Sequence, residues 1–296
     1  MKKGAGWKPA LRPHATPTCR LIITADDFGV AVEVNEAVEI GHREGVLTAA
    51  SLMVAAPAAA DAVARARAMP GLRVGLHLVL VDGRPTLPPA EVSRLVDAGG
   101  RFRDDMGPAA ANMFFNARAR RELAAEIEAQ FAAFAATGLA LDHVNAHKHF
   151  HLHPTIAGLI GKIGPRYGLR GVRIPVELNH TESEAASPGE GLMRFWARTS
   201  RRMFRYWGFL VPDQVYGLRW SGAMTAERLL GLIETLPPGL SEIYLHPATR
   251  GGFAGAAAGY RYEEELAALI DPRVAEAARR PDARLGGYAD FAREEA

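Results

Sequence analysis

Histidines are concentrated in one short segment of the sequence. Five of the ten histidines fall within residues 143–153, which read HVNAHKHFHLH. Alternate spacing points successive histidines to one side of an extended backbone, and imidazole nitrogens suit zinc and other borderline transition metals. The segment is therefore a candidate metal site, although a histidine-rich tract can also be a solvated loop.

Other polar residues stand at comparable points, where predicted strands end. Asp26 and Asp27 follow the first apolar run, His77 ends the third, and His246 ends a late one. In α/β folds, ligands gather at the carboxyl ends of the strands, so we expect these side chains to share one mouth with the histidine segment. Each position alone is weak evidence, because a lone strand-end histidine is more often structural and an aspartate can cap a helix.

Together these side chains could perform hydrolysis. Three protein ligands and one open position are what a hydrolytic metal site needs, and a bound cation lowers the pKa of water toward about 7 and polarises an amide carbonyl. Adjacent aspartates at a tight turn diverge, so one can bind metal while its neighbour accepts the water proton and stays ionised beside the cation. A histidine has a suitable unperturbed pKa for protonating the leaving amine.

The residues between these motifs alternate between strand and helix patterns. Strands are predicted over residues 20–24, 48–54, 72–79, 171–174 and 242–245, with one more leading into the histidine segment. Helices are predicted over residues 32–43, 58–68 and 116–136 and from residue 155, whereas residues 82–115 are predicted to be a long excursion. Strands separated by helices indicate an α/β fold with a mainly parallel sheet, open or closed into a barrel.

Composition restricts the class of protein. Of the 296 residues 48% are hydrophobic, which permits a substantial core, and the net charge of +2 gives no reason to expect nucleic-acid binding. Cys19 is the single cysteine, which excludes an intramolecular disulfide and a thiolate metal cage. Residues 1–18 predict a flexible tail before one domain over residues 19–296. With no apolar run of signal-peptide or spanning length, we expect a cytoplasmic protein.

Residues 191–211 predict a basic amphipathic helix. At about 100° per residue, one face carries Trp196, Phe204 and Trp207, and the opposite face carries five arginines. Interfacial aromatics beside arginines are typical of membrane-surface segments, which makes these three aromatic residues candidates for membrane contact. The slightly favoured alternative is an ordinary helix that packs its aromatic face on the barrel.

Four ordered motifs carry a family resemblance. TADDFG, GLHL, HVNAHKHFHLHP and YLHPA resemble the motifs of the YdjC-type carbohydrate deacetylases, also called the chitooligosaccharide deacetylase family. The resemblance runs from about Leu21 to the last predicted strand. The wording of ASLMVAAPAAADAV, GLHLVLVDGRP and AHKHFHLHP is most similar to the hopanoid biosynthesis-associated branch.

The resemblance implies a distorted (β/α) barrel and one divalent metal ion held by one aspartate and two histidines. Carried over to this sequence, the ligands are Asp27, His77 and His147, with His149 as the alternative to His147. The metal is expected to be zinc or magnesium, and nickel or cobalt also suits such ligands.

The remaining motif residues receive supporting roles. Asp26 is expected to be the general base and His246 the general acid or oxyanion partner, and Arg173 in GVRIP matches an arginine that family members carry near the site. The residues expected to support the ligands or contact the substrate are His149, His151 and Asn145.

The activity implied is removal of acetyl from an N-acetylated sugar, and the branch resemblance suggests an N-acetylglucosaminyl hopanoid glycolipid at the inner membrane face. One alternative is a deacetylase of soluble chito-oligosaccharides. A second is a non-catalytic, membrane-associated sugar-lipid binding module with a structural metal. A phosphoesterase would need a second carboxylate-rich metal site, which the sequence does not suggest. A homodimer would be compatible with any of these.

Overall fold

Parallel strands form the centre of the molecule. The computed structural model describes residues 19–175 and 188–292, so the predicted tail over residues 1–18 lies outside the described residues. The strands are β1 (Cys19–Phe28), β2 (Ala49–Leu52), β3 (Arg73–Leu78), β4 (Val144–Ala146), β5 (Gln214–Tyr216), β6 (Gly239–Leu245) and β7 (Ala283–Leu285). All their pairings are parallel, in the order β4-β3-β2-β1-β6-β5, with β7 beside the start of β1.

The sheet curls into a half-barrel. Beyond β4, single backbone bridges join Val144 to Val172 and Gly171 to Leu210, and these bridges continue the arc toward β5. The predicted strand over residues 171–174 is present only as these bridges. The predicted α/β class, with a distorted barrel of mainly parallel strands, is confirmed.

Helices cover the outside of the sheet. They are α1 (Val32–Glu44), α2 (Ala59–Arg67), α3 (Met106–Phe115), α4 (Ala117–Ala136), α5 (Pro154–Ile163), α6 (Pro188–Tyr206), α7 (Ala226–Glu234), α8 (Tyr262–Ile270), α9 (Pro272–Ala278) and α10 (Tyr288–Ala292). Within the described ranges, no helix combines the length and the apolar character that crossing a bilayer would require.

Helix α4 anchors the long excursion over residues 82–115. Its carboxylate Glu126 accepts hydrogen bonds from the backbone N–H groups of Thr86 and Leu87, and Gln130 bonds to both backbone polar groups of Val79. Buried polar side chains of this kind satisfy loop backbone that would otherwise lack partners. The excursion also contains α3, a helix that the sequence pattern does not indicate.

Strand β1 is buried on both faces. Leu21, Ile23 and Ala25 belong to the main core, whereas Ile22 packs with Tyr288 and Phe291. Burial on both faces explains the continuous apolar run in the sequence. Since the strands are parallel, their polar carboxyl ends meet at one edge of the sheet, called here the carboxyl edge.

Candidate active site

Three of the predicted ligands meet at the carboxyl edge. Asp27 lies at the end of β1, His77 near the end of β3 and His147 directly after β4. One ligand atom from each residue lies within 4.8 Å of the other two. Asp27 Oδ1 is 3.3 Å from His77 Nε2 and 3.3 Å from His147 Nδ1. These three residues are called the Asp-His-His cluster.

The hydrogen bonds around His77 favour a cation in this cluster. Its Nδ1–H donates to Asn145 Oδ1 at 2.7 Å, so in the neutral imidazole the Nε2 lone pair is directed at Asp27 Oδ1. That oxygen is buried and has no hydrogen-bond donor among the described residues. Two acceptors facing each other are unfavourable unless a proton or a metal ion lies between them. The donor set and the unsatisfied oxygen therefore fit a divalent metal.

The pKa values of Asp27 and His77 are shifted by the charges that these neighbouring side chains carry. Burial would raise the pKa of Asp27, but the neighbouring imidazoles hold it well below its usual value. Burial likewise opposes a charge on His77, but the carboxylates of Asp26 and Asp27 raise its pKa above the ordinary value. A proton and a metal ion therefore compete for the space between these side chains.

Asp26 lies beside the cluster and is 2% exposed. Its Oδ2 accepts a hydrogen bond from Arg173 Nη1 at 2.5 Å, and its Oδ1 accepts one from Asn145 Nδ2 at 3.0 Å. Burial alone would raise the pKa of this carboxyl, but the charge of Arg173, followed by those of His77 and His246, holds the pKa well below its usual value. Asp26 is therefore ionised at neutral pH.

Arg173 is fully buried and has carboxylates on two sides. Besides Asp26, its guanidinium donates from Nη2 to Glu242 Oε1 at 2.8 Å. Glu242 also accepts from Thr24 Oγ1 at 2.6 Å and from the Tyr288 hydroxyl at 2.5 Å. Arg173 was predicted as a catalytic residue, and the structure places its fully buried guanidinium in contact with Asp26 and Glu242.

His246 follows directly after β6, at the same edge. Its backbone N–H donates to the Glu265 carboxylate, and its ring lies edge-on to Tyr260 with the ring centroids 5.1 Å apart. Its Nδ1 has no hydrogen-bond partner in the described part of the chain. The imidazole is close enough to contribute to the lowered pKa of Asp26. The predicted acid and the predicted base therefore share one mouth.

The histidine segment is extended only at its start, in β4 (Val144–Ala146), whereas the alternate spacing predicts an extended backbone throughout. Residues 147–152 are a short 3-10 segment interrupted by a kink, where Lys148 and His149 adopt left-handed φ angles of 52° and 54°. His147 alone of the segment joins the cluster. His149 Nε2 instead lies 2.9 Å from the Tyr244 hydroxyl.

His151 is a buried neutral imidazole. Its Nε2–H donates to the backbone carbonyl of Arg173 at 2.7 Å, and burial lowers its pKa to about 4. His151 and His149 thus bond to Arg173 and Tyr244, and their supporting role remains a prediction.

The three aromatic residues predicted to contact a membrane differ in their exposure in and after helix α6. Phe204 is fully buried, with the rings of Trp207 and Phe209 each 5.5 Å from its own, so the prediction that Phe204 faces a membrane is wrong. Trp207 packs over Gly161, where an added Cβ would lie 2.3 Å from the indole, although 43% of Trp207 remains exposed. Trp196 is half-buried.

Other aromatic residues of α6 are exposed. Phe195 is 59% exposed and Tyr206 89% exposed. Two of the arginines predicted on the polar face, Arg201 and Arg205, approach Asp213 at 3.5 Å and 2.8 Å. The helix therefore packs with one set of aromatics and presents another to solvent.

Several residues behind the site were not identified from the sequence. They are buried polar side chains that contact Arg173 or Asn145 directly or through one or two intermediaries: Ser51, Asp142, His143, Glu242 and Tyr288. Ser51 and Glu242 interrupt apolar strands, and a polar residue at such a position signals a buried partner. Asp142 and Tyr288 carry no comparable signal.

Known proteins resemble this chain over most of its length. The model of the YdjC-like protein family matches residues 20–280. A carbohydrate deacetylase of Geobacillus stearothermophilus is 32% identical over 274 residues, covering 91% of this chain and 97% of that protein. A carbohydrate deacetylase of Brevibacillus brevis is 38% identical over 157 residues, and this alignment spans 58% of that protein and 53% of this chain.

A solved structure shares the fold. The crystal structure of an Enterococcus faecalis protein, described as a candidate cellobiose-phosphate cleavage protein, superposes with a TM-score of 0.72 at 24% identity, covering 93% of this chain and 99% of that one. At this identity the likeness concerns the fold alone. The family match and the nearly full-length relative show that the chain belongs to the YdjC-like family.

Proposed function

We propose that the protein is a metal-dependent hydrolase that removes the acetyl group from an N-acetylated sugar. The observation that carries this proposal is an ionised, buried carboxylate, Asp26, beside the Asp-His-His cluster at the carboxyl edge. The substrate class rests on the relatives, which are named carbohydrate deacetylases.

Asp27, His77 and His147 would hold the metal ion. One carboxylate oxygen and two imidazole nitrogens suit zinc, nickel or cobalt better than magnesium, which prefers an all-oxygen octahedral shell. When bound, the cation supplies Lewis-acid polarisation of the acetyl carbonyl and stabilises the negative charge that develops on its oxygen.

Asp26 is suited to act as the base. Its two carboxylate oxygens accept one hydrogen bond each from Arg173 and Asn145, and each oxygen keeps a further lone pair. It can therefore take a proton from water as the water oxygen attacks the acetyl carbon. The low pKa makes it a weak base, but it also keeps the carboxylate ready at neutral pH.

His246 is suited to complete the reaction. When the carbon–nitrogen bond breaks, the leaving amine needs a proton, and an imidazolium at the same mouth can donate it. Acetate and the free amino sugar are then the products.

Release of acetate tests the reaction class. We expect acetate from N-acetylglucosaminyl substrates, loss of the activity with a chelator, and recovery on adding zinc but not magnesium. No acetate from either a glycolipid or a chito-oligosaccharide would refute the proposal.

Asp26→Asn separates an enzyme from a binding module with a structural metal. We expect turnover to fall by about 10²–10⁴-fold, the usual contribution of a general base, while zinc content stays the same. An active Asp26→Asn protein would show that Asp26 is not the base.

For the substrate, we propose an N-acetylglucosaminyl hopanoid glycolipid at the inner membrane face. The similarity of the motif sequences to the hopanoid biosynthesis-associated branch supports this choice. The exposed Phe195 and Tyr206 on the arginine-rich helix α6 support it as well. A soluble chito-oligosaccharide is the alternative, and comparing kcat/KM for the two substrates decides between them.

Liposome binding tests the membrane contact. The protein should float with anionic liposomes, less so at high salt, and a Phe195→Ser/Tyr206→Ser double variant should lose this binding while keeping activity on a soluble substrate. Equal partitioning with and without liposomes would contradict the proposed contact.

A further inference from the structure

A chain of buried polar side chains runs behind the site and ends on Asn145. The amide of Asn145 contacts both predicted functional groups: Nδ2 donates to Asp26 Oδ1 at 3.0 Å, and Oδ1 accepts from His77 Nδ1 at 2.7 Å. The opposite amide orientation would place Oδ1 against the ionised carboxylate of Asp26, which is unfavourable. The orientation of this one amide therefore matters to the base and to a ligand together.

The second N–H of the Asn145 amide sets the direction of the hydrogen bonds that continue through Ser51 and His143 to Asp142. Asn145 Nδ2 also donates to Ser51 Oγ at 3.0 Å, so the Ser51 hydroxyl is free to donate its own proton to His143 Nε2 at 2.9 Å. His143 Nε2 is then an acceptor, and Nδ1 carries the proton that is donated to Asp142 Oδ2 at 2.9 Å. With a neutral His143 ring, every donor in this chain meets an acceptor.

The far end of the chain is held by the C-terminal part of the fold. Asp142 accepts the backbone N–H groups of Tyr288 and Ala289 at 3.1 Å and 2.7 Å. The His143 ring stacks on Tyr288 with the centroids 4.8 Å apart. On its other side it lies over Gly75, where an added Cβ would be 2.5 Å from the ring.

The residue types are those of a Ser-His-Asp triad, but the environment excludes a nucleophile. Ser51 and His143 are 0% exposed and Asp142 is 2% exposed. Ser51 Oγ is occupied by the Asn145 amide and by His143, so no acyl group can reach it. A fully satisfied buried network of this kind holds its members in one geometry.

We propose that Ser51, His143 and Asp142 are positioning residues that hold the Asn145 amide and, through it, Asp26 and His77. This inference rests on the proposed function for its effect on turnover. Its effect on metal binding does not depend on which reaction the protein catalyses, because His77 is held by the same amide.

Ser51→Ala tests the inference, with Thr48→Val as the matched control. Thr48 directly precedes β2, and its Oγ1 accepts from the backbone N–H of Ile23 in β1 at 3.0 Å and donates to the Ile23 carbonyl at 3.2 Å, not to Asn145. For Ser51→Ala we expect kcat about 10–100-fold lower, KM within about threefold, and zinc affinity about tenfold weaker, as for residues that orient metal ligands. Thr48→Val should leave kcat and zinc affinity unchanged.

A double-mutant cycle identifies the route of the effect. If Ser51 acts through Asn145, Ser51→Ala should lower kcat no further in an Asn145→Ala background. If the fold-loss in kcat of the double variant equals the product of the fold-losses of the two single variants, the proposal is refuted. It is also refuted if Ser51→Ala has the same kcat and zinc affinity as Thr48→Val. Asp142→Asn provides the same comparison if Ser51→Ala does not fold.

Failure of the proposed function has a different signature. A wild-type protein that releases no acetate refutes the deacetylase proposal but leaves the zinc measurement intact. Zinc affinity of Ser51→Ala against Thr48→Val then decides the positioning role alone: weaker binding supports it, and equal binding overturns it.

Discussion

Charged side chains at the carboxyl edge are buried among partners, whereas those at the opposite, amino-terminal end of the sheet line an open cavity. Near the carboxyl edge Asp26, Arg173 and Glu242 are nearly or fully buried, and Arg173 pairs with both carboxylates. At the amino-terminal end a cavity of about 700 Å³ is lined by Arg20, Arg170, Arg205, Phe209, Leu210, Asp213 and Leu240, among others. Similar residue types therefore experience very different dielectric surroundings.

Strained backbone conformations also occur at the carboxyl edge rather than at the amino-terminal end of the sheet. The non-glycine residues with positive φ in the described ranges are Asp27, Asp82, Lys148 and His149. Asp27 is a member of the cluster, His149 lies two residues after the cluster member His147, and Lys148 pairs with Asp82 at 2.5 Å. Such conformations cost roughly 1–3 kcal/mol each and persist where the surroundings over-determine them. The carboxyl edge is thus rigidly held against strain, as a preorganised site requires.

Breaking the buried ion pairs should have the largest effect. Arg173→Met leaves the Asp26 and Glu242 carboxylates buried without their cation, so we expect a loss of about 3–5 kcal/mol in the free energy of unfolding and little remaining turnover. Urea denaturation and acetate release measure the two. A change in unfolding free energy below about 1 kcal/mol would mean that these charges are better solvated than their burial indicates.

Tyr288→Phe should weaken the same region less. It removes the hydroxyl that donates to Glu242 at 2.5 Å but leaves the ring that stacks on His143. A hydrogen bond to a buried carboxylate contributes about 1.5–3 kcal/mol, and the unfolding midpoint in urea should fall accordingly. An unchanged midpoint would show that Glu242 is fully satisfied by its other two donors.

The features predicted correctly from the sequence are those that depend on short stretches of neighbouring residues. Apolar runs ending in polar residues are local features, so the strand ends that carry Asp27, His77 and His246 could be recognised without knowing the fold. Short elements such as β5 and β7, with three residues each, leave too little periodicity to be recognised.

Long-range partners could not be predicted in the same way. Ser51 and His143 are 92 residues apart, and Asp142 and Tyr288 are 146 residues apart. Whether Phe204 faces solvent depends on what packs against α6, which its own periodicity does not contain. The left-handed turn at Lys148 and His149 likewise follows from tertiary contacts rather than from residue propensity.

The pH dependence of stability should distinguish the two ends. The pKa values of Asp26 and of Asp213, at the cavity, are both lowered on folding, so each contributes stability above its unfolded pKa near 4 that is lost as pH falls. Because Asp26 is buried, the destabilisation caused by Asp26→Asn in chelator-treated protein should be large at pH 7 and shrink below pH 4 by up to about 1.4 kcal/mol per pH unit. Asp213→Asn should show a weaker trend, and equal pH slopes in urea unfolding would contradict the comparison.

Arg205→Met should have the smallest effect. Its guanidinium pairs with Asp213 at 2.8 Å, but both side chains are about 40% exposed, and water screens such pairs. We expect a loss of less than about 1 kcal/mol in unfolding free energy and unchanged acetate release, because the residue lies far from the carboxyl edge. The same substitution at Arg173 is the matched comparison, so equal losses for the two arginines would show that burial does not set the strength of these ion pairs.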